Sequence, residues 1–124
     1  MAKSVYTKNA PDAIGPYSQA IVTGNLVFTS GQIAINPASG NVEATTIEGQ
    51  TEQVCKNLSE VLKEAGSSID KTVKTVCFLS DMDNFAAFNE VYGKYFISKP
   101  ARSCVAVKTL PKNVLVEVDV IAEI

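Results

Sequence analysis

Two spacings of apolar side chains divide the sequence. In "TIEGQTEQVCKNLSEVLKEAG", Ile47, Gln50, Val54, Leu58, Val61, Leu62 and Ala65 fall near one face of a 3.6-residue repeat, which predicts a helix. Thr45 and Glu48 are spaced as a capping box at its start, and Gly66 marks its stop. A second helix is predicted in "DNFAAFNEVYGKYF", where Phe85, Phe88, Tyr92, Tyr95 and Phe96 recur at helical spacing. Between the two, "KTVKTVCFLS" is short and β-branched and predicts a strand over Thr72 to Leu79. "RSCVAV" and "VLVEVDVIAEI" predict two closing strands separated by the turn "TLPKN". At the front of the chain, "SVYT", "SQAIV" and "NLVFTSGQIAI" read as extended segments, the last running into a Ser-Gly step. The turn formers of "NPASGN" follow it and lead into a loop.

Several strands, helix, strand, helix and two strands predict an α+β sheet with helices on one face. The strands add a second clue. "TVKTVCFL", "SCVAV" and "VLVEVDVIAEI" place apolar residues at both parities of the pleat, and two helices cover only one side of a sheet. The other side is therefore expected to pack against a second copy of the chain, giving a homo-oligomer. A small barrel that encloses its own interior is the alternative.

With 124 residues, the chain is long enough for one core and too short for two, so a single domain over 1–124 is expected. No run of apolar residues is long enough to cross a bilayer. "MAKSVYTKNAPDAIGPYSQA" lacks the apolar core and small-residue cleavage site of a secretory signal, so the expected location is the cytoplasm. The net charge of -2, without a lysine cluster, weighs against a nucleic-acid surface. Cys55, Cys77 and Cys104 are odd in number and widely spaced, which fits reduced thiols better than a disulfide framework. There is no histidine, so a metal site would lack its commonest ligand. "NLS" at Asn57 matches a glycosylation acceptor, but it falls inside a predicted helix and is set aside.

Against that background one residue stands out. Arg102 is the only arginine among 11 basic residues. A guanidinium differs from an ammonium in offering a planar fork of donors matched to a carboxylate. The plainer reading is a solvated or ion-paired surface group. On a strand, Arg102 and Cys104 share one face. Glu117 lies in the terminal strand at the same parity as Leu115, Asp119 and Ile121. Partial burial beside a cation would suit such a carboxylate to proton exchange near neutral pH, whereas pairing with a lysine is the structural alternative. Cys104 lacks a histidine base and is a poor candidate nucleophile; Cys55 and Cys77 read as core. Tyr17 sits in a Gly-Pro turn where it could cap a pocket, and Gly31 leaves backbone open to a small ligand.

Taken together, "NAPDAIGPYSQAI", "TSGQI" and "KPARSCVAVKTLPKNVLVEVDVIA" resemble the reactive intermediate deaminase family, in its imine deaminase subgroup, nearly end to end. The resemblance implies a chorismate-mutase-like α+β fold, assembled as a homotrimer with pockets in the clefts between subunits. It implies hydrolysis of 2-imino acids or their enamine tautomers, such as 2-iminobutanoate and 2-iminopropanoate, to 2-keto acids and ammonia, with no cofactor or metal. On that pattern Arg102 binds the substrate carboxylate and Glu117 positions or activates water. Tyr17 walls the pocket, while Gly31 and the backbone at Cys104 meet the nitrogen end of the substrate. Ser30 and Asn89 are expected as neighbours outside the catalytic set. The partners implied are a small imino or keto acid and further copies of the chain, with no nucleic acid or membrane. A ligand sensor, an RNA-directed activity and a chorismate mutase are competing readings. A pure sensor has no evident use for Glu117, the charge disfavours RNA, and two substrate carboxylates would call for more than one arginine.

Overall fold

The computed structural model describes residues 1–124. Eight strands and two helices appear in chain order: β1 (Lys3–Val5), β2 (Ala20–Thr23), β3 (Leu26–Thr29), β4 (Ile35–Asn36), β5 (Asn41–Val42), α1 (Ile47–Glu64), β6 (Thr72–Leu79), α2 (Phe85–Tyr95), β7 (Ala101–Ala106) and β8 (Val116–Glu123). Six of the strands form one mixed sheet in the order β1-β2-β3-β8-β6-β7, and β4 and β5 make a separate small hairpin. All pairings in the large sheet are antiparallel except β6 with β7. Both α-helices pack on one face, which is the α+β arrangement expected. The sheet is open, with β1 and β7 at its edges, so the chain does not close a barrel around itself.

The central strand β8 shows why the helices sit where they do. Val116, Val118, Val120 and Ala122 are buried under the helices, whereas Glu117, Asp119 and Ile121 between them are only half-buried on the opposite face. The neighbouring β6 alternates in phase, burying Thr75, Cys77 and Leu79 and leaving Val76 and Phe78 half-covered. From α1 come Val54, Cys55, Leu58, Val61 and Leu62, all without exposed surface, and from α2 and the residue that caps its end a ladder of rings, Phe88, Tyr92 and Phe96. The rings meet at centroid distances of 5.4 and 4.5 Å. On the open face Phe28, Val76, Phe78, Val105 and Ile121 remain partly or largely exposed.

The ends of α1 differ by one residue from the sequence expectation at the front and match it at the back. Thr46, not Thr45, is the cap: it is extended (φ -99, ψ 156) and its Oγ1 accepts from Gly49 N–H at 3.1 Å. With two threonines in succession, the one nearer the first buried position, Ile47, takes the role. Gly49 then stands third in the helix where Glu48 was expected, and no carboxylate reaches back. At the other end Ser67 N–H bonds to Leu62 O and Gly66 N–H to Lys63 O, with Gly66 at φ +87, so the glycine stop is a Schellman closure.

Three buried amide side chains tie loops to this frame. Gln19 accepts from Thr7 N–H at 2.7 Å and donates to Thr7 O and Pro11 O at 3.0 and 2.8 Å, clamping the segment that leads towards Tyr17. Gln50 accepts from Leu115 N–H and donates to Ala44 O. Asn57, 1% exposed, donates to Ile33 O and Ile35 O, so the "NLS" match is a core tether. No helix is long and apolar enough to cross a membrane.

Replacing Asn57 with alanine removes the amide donor to the Ile33 and Ile35 carbonyls; Ile33 O keeps the Ile35 N–H at 2.8 Å, so the cost is that of lost hydrogen bonds, about 0.5–1.5 kcal/mol each. The expected result is a lower urea midpoint at an unchanged m-value; an unmoved midpoint would mean that water substitutes fully for the amide.

A candidate active site divided between two faces of the sheet

Glu117 reaches its position because β8 alternates, and its neighbourhood is completed by an irregularity in the partner strand. After the regular pairs Leu26 to Glu123, Val27 to Ala122 and Phe28 to Ile121, the next bridge joins Gln32 to Val118. Thr29, Ser30 and Gly31 therefore face only Asp119 and Val120, one residue in excess, which is a β-bulge. Thr29 supplies its side chain in place of a backbone acceptor: Val120 N–H donates to Thr29 Oγ1 at 3.0 Å. Ser30 is fixed to the neighbouring turn by its N–H to Gln19 O and its hydroxyl to Ser18 O at 2.6 Å. The bulge carries Gly31 against the Glu117 carboxyl. A Cβ built on Gly31 would stand 2.5 Å from Glu117 Oε2 and 2.8 Å from its carboxyl carbon. The missing side chain makes room for the carboxylate itself.

A cleft of about 500 Å³ opens here. Glu117 and Gly31 line it together with Tyr17, Gln19, Ser30 and Lys112. Tyr17 is 53% exposed, and its ring leans over Gly15, where an added Cβ would lie 3.3 Å from Tyr17 Cε2. Ile14, Ile33 and Ile35 give the cleft apolar wall. Burial, and secondarily the Asp119 carboxylate two residues on, raises the Glu117 pKa above the ordinary glutamate value. Asp119 is raised by burial as well.

Arg102 and Cys104 lie elsewhere. In the parallel pairing, Arg102 stands beside Thr75 and Cys104 beside Cys77, so both side chains belong to the helix-bearing face, opposite to Glu117. The Arg102 guanidinium donates from Nη1 to Asn89 Oδ1 at 2.7 Å. It also lies over the rings of Tyr92 and Phe85, at 4.8 and 5.4 Å from their centroids. A second cleft of about 500 Å³, lined by Arg102, Lys99, Tyr92, Phe96, Ile97 and Pro100, opens beside it. Burial raises the Cys104 thiol pKa and so favours the unreactive thiol form, outweighing the opposing pull of Arg102. Cys77 is pushed up to about 12, chiefly by burial, and Cys55 is raised by the same cause. No cluster of three or more His, Cys, Asp or Glu side chains is placed to hold a metal ion.

One chain thus gathers Tyr17, Gly31 and Glu117 in one cleft and sets Arg102 and Cys104 on the other side of the sheet. The sequence reading passed over Gln19 and Lys112. Gln19 is an ordinary buried amide in pattern, and only the turn at Pro111, with Lys112 and Asn113 at φ 56 and 55, brings Lys112 to the cleft.

The fold coincides with that of known proteins. Residues 7–124 match the family model described as Endoribonuclease L-PSP. Reactive Intermediate Deaminase A, chloroplastic, of Arabidopsis thaliana is 46% identical over 95% of this chain and 64% of its own length. A candidate regulator, AldR of Lactococcus lactis, is 50% identical over 98% of each chain. The crystal structure of Escherichia coli TdcF with bound serine superposes with a TM-score of 0.93 at 39% identity, covering 98% of each chain. The chain belongs to this family, the one that includes the reactive intermediate deaminases.

Two substitutions examine the Glu117 environment. Gly31→Ala pushes on the flexible end of Glu117 and is expected to leave the fold intact while displacing the carboxyl, seen as a changed Glu117 titration by carbon NMR; an unaltered titration would show that the close approach is relieved elsewhere. Asp119→Asn removes a charge that disfavours ionisation nearby, so the Glu117 titration is expected to move to lower pH. A rise, or no movement, would remove Asp119 from the electrostatics of the cleft.

Proposed function

We propose that the protein hydrolyses reactive 2-imino acids and their enamine tautomers, 2-iminobutanoate and 2-iminopropanoate among them, to 2-keto acids and ammonia. The observation that carries the reading is the separation of Arg102 and Glu117. A guanidinium held by uncharged groups and a half-buried carboxylate stand on opposite faces of one sheet, so only neighbouring copies can combine them. The partly exposed apolar open face supports such an assembly, and a homotrimer is the form the resemblance implies for it. In the resulting cleft Arg102 of one subunit grips the substrate carboxylate, while Glu117, Gly31 and Tyr17 come from the next.

The chemistry demands little more. Water adds to the carbon of the protonated C=N bond as Glu117 accepts its proton, giving a carbinolamine. Glu117 returns that proton to the nitrogen, and the C–N bond breaks as the hydroxyl gives its own proton back to the Glu117 carboxylate, releasing ammonia and leaving the keto acid. A carboxyl whose pKa is raised by burial suits both transfers better than an ordinary one. General acid–base help of this kind contributes about 10²- to 10⁴-fold. Tyr17 and the isoleucines shield the cleft from bulk water, and the backbone at Cys104 meets the nitrogen end of the substrate. Carboxylate recognition is consistent with the serine bound by TdcF, and imine chemistry with the name of the Arabidopsis relative. RNA cleavage, suggested by the family description, fits poorly with 13 acidic residues against 11 basic ones and no histidine.

The reading is tested by a coupled assay in which threonine dehydratase generates 2-iminobutanoate and 2-oxobutanoate formation is followed. The wild type is expected to accelerate release and Arg102→Ala to abolish it, with Arg102→Lys nearly as impaired because the fork is lost. Glu117→Gln is expected to lose turnover while still binding 2-oxobutanoate. No acceleration by the wild type would overturn the deaminase reading, and binding without turnover would put a sensor in its place.

A further inference from the structure

The setting of Arg102 is unusual for an arginine half-buried against a core. Its contacts in the chain are an amide oxygen and two aromatic faces, none of them a carboxylate. Phe85, Asn89 and Tyr92 supply these contacts from positions i, i+4 and i+7 of α2, which form one helical stripe facing the edge strand. The stripe is braced from behind. Tyr92 Oη shares a 2.8 Å hydrogen bond with Thr75 Oγ1, a fully buried hydroxyl on β6 whose residue stands directly beside Arg102 in the strand pairing. Ring faces attract a cation without neutralising it, and an amide oxygen accepts one guanidinium hydrogen while leaving the formal charge whole.

We propose that Phe85, Asn89 and Tyr92 form an uncharged cradle that aims Arg102 and keeps its charge free for an incoming carboxylate. Asn89 is the decisive member. An aspartate in its place would differ by one atom and would turn the 2.7 Å contact into a charge-assisted pair, occupying inside the chain the fork that the ligand needs. The three are positioning residues: they act through Arg102. The proposal rests on the deaminase reading only for the identity of the carboxylate ligand.

Asn89→Asp separates this from a merely structural contact. The expected result is unchanged or higher thermal stability together with 2-oxobutanoate binding weaker by at least about tenfold, since an internal carboxylate now competes for the guanidinium. Asn89→Ala is expected to weaken binding less. Binding by Asn89→Asp equal to wild type would overturn the proposal.

Because Arg102 is the only arginine, its Nε–H gives a single arginine side-chain peak in a nitrogen–proton NMR spectrum, and this provides a second readout independent of ligand. The peak is expected to be displaced by the ring currents of Tyr92 and Phe85, to keep its displacement in Tyr92→Phe, and to move towards the free-arginine position in Tyr92→Leu. Phe85→Leu serves the same purpose at the less buried ring should Tyr92→Leu fail to fold. A peak at the free-arginine position in the wild type, or one unmoved by loss of either ring, would overturn the cradle. If wild type neither binds 2-oxobutanoate nor turns over the imine, the functional reading fails, while the peak still decides whether the cradle exists.

Discussion

The two-residue period of β8 is the constraint on which the rest of the molecule depends. Val116, Val118, Val120 and Ala122 fill the space beneath the helices, and their burial fixes the register against both neighbouring strands. A slip of one residue would drive Glu117 and Asp119 into that space and lift the valines out of it. The same packing that holds the fold thus forces Glu117 onto the open face, with no separate device needed to put it there.

The pleat decides the fate of Arg102 as well. Since β7 joins β6 in parallel and in phase, Arg102 follows Thr75 to the helix side, where α2 receives it. The guanidinium and the Glu117 carboxyl are thereby held apart by the thickness of a sheet. Each is half prepared: the carboxyl has its pKa raised by partial burial, and the guanidinium is held by rings and an amide that leave it positive. Within one chain the cation and the carboxyl lie on opposite surfaces, and the reaction proposed above requires those surfaces to meet between molecules.

Much of this frame was legible because burial imposes period. The strand Thr72–Leu79 falls where its β-branched run was read, and the buried positions of α1 include Ile47, Gln50, Val54, Leu58, Val61 and Leu62 on the expected stripe. The shared face of Arg102 and Cys104 and the common parity of Glu117 and Asp119 also follow from spacing alone. Features set by single hydrogen bonds did not show. The choice of Thr46 over Thr45 turns on one bond to Gly49, the hairpin of β4 and β5 takes only Ile35 from a segment read as extended and the rest from a stretch read as turn and loop, and the excess residue near Gly31 depends on one threonine hydroxyl. Nor could spacing say that Arg102 and Glu117 face opposite ways, because that depends on how two separate strands are phased through a third.

The excess residue has its own consequence for how such a chain can vary. From Thr29 to Gln32 the backbone changes phase by one position, and Gln32 rejoins β8 only because of that change. Side chains there can be exchanged as long as the hydroxyl and the small residue survive. The number of residues cannot, since one fewer would restore the regular alternation and turn the following segment inside out. Insertions and deletions tolerated by descendants of this sequence should therefore collect in places such as the β4–β5 turn or the stretch before β7, leaving the four residues of the kink as a segment of invariant length.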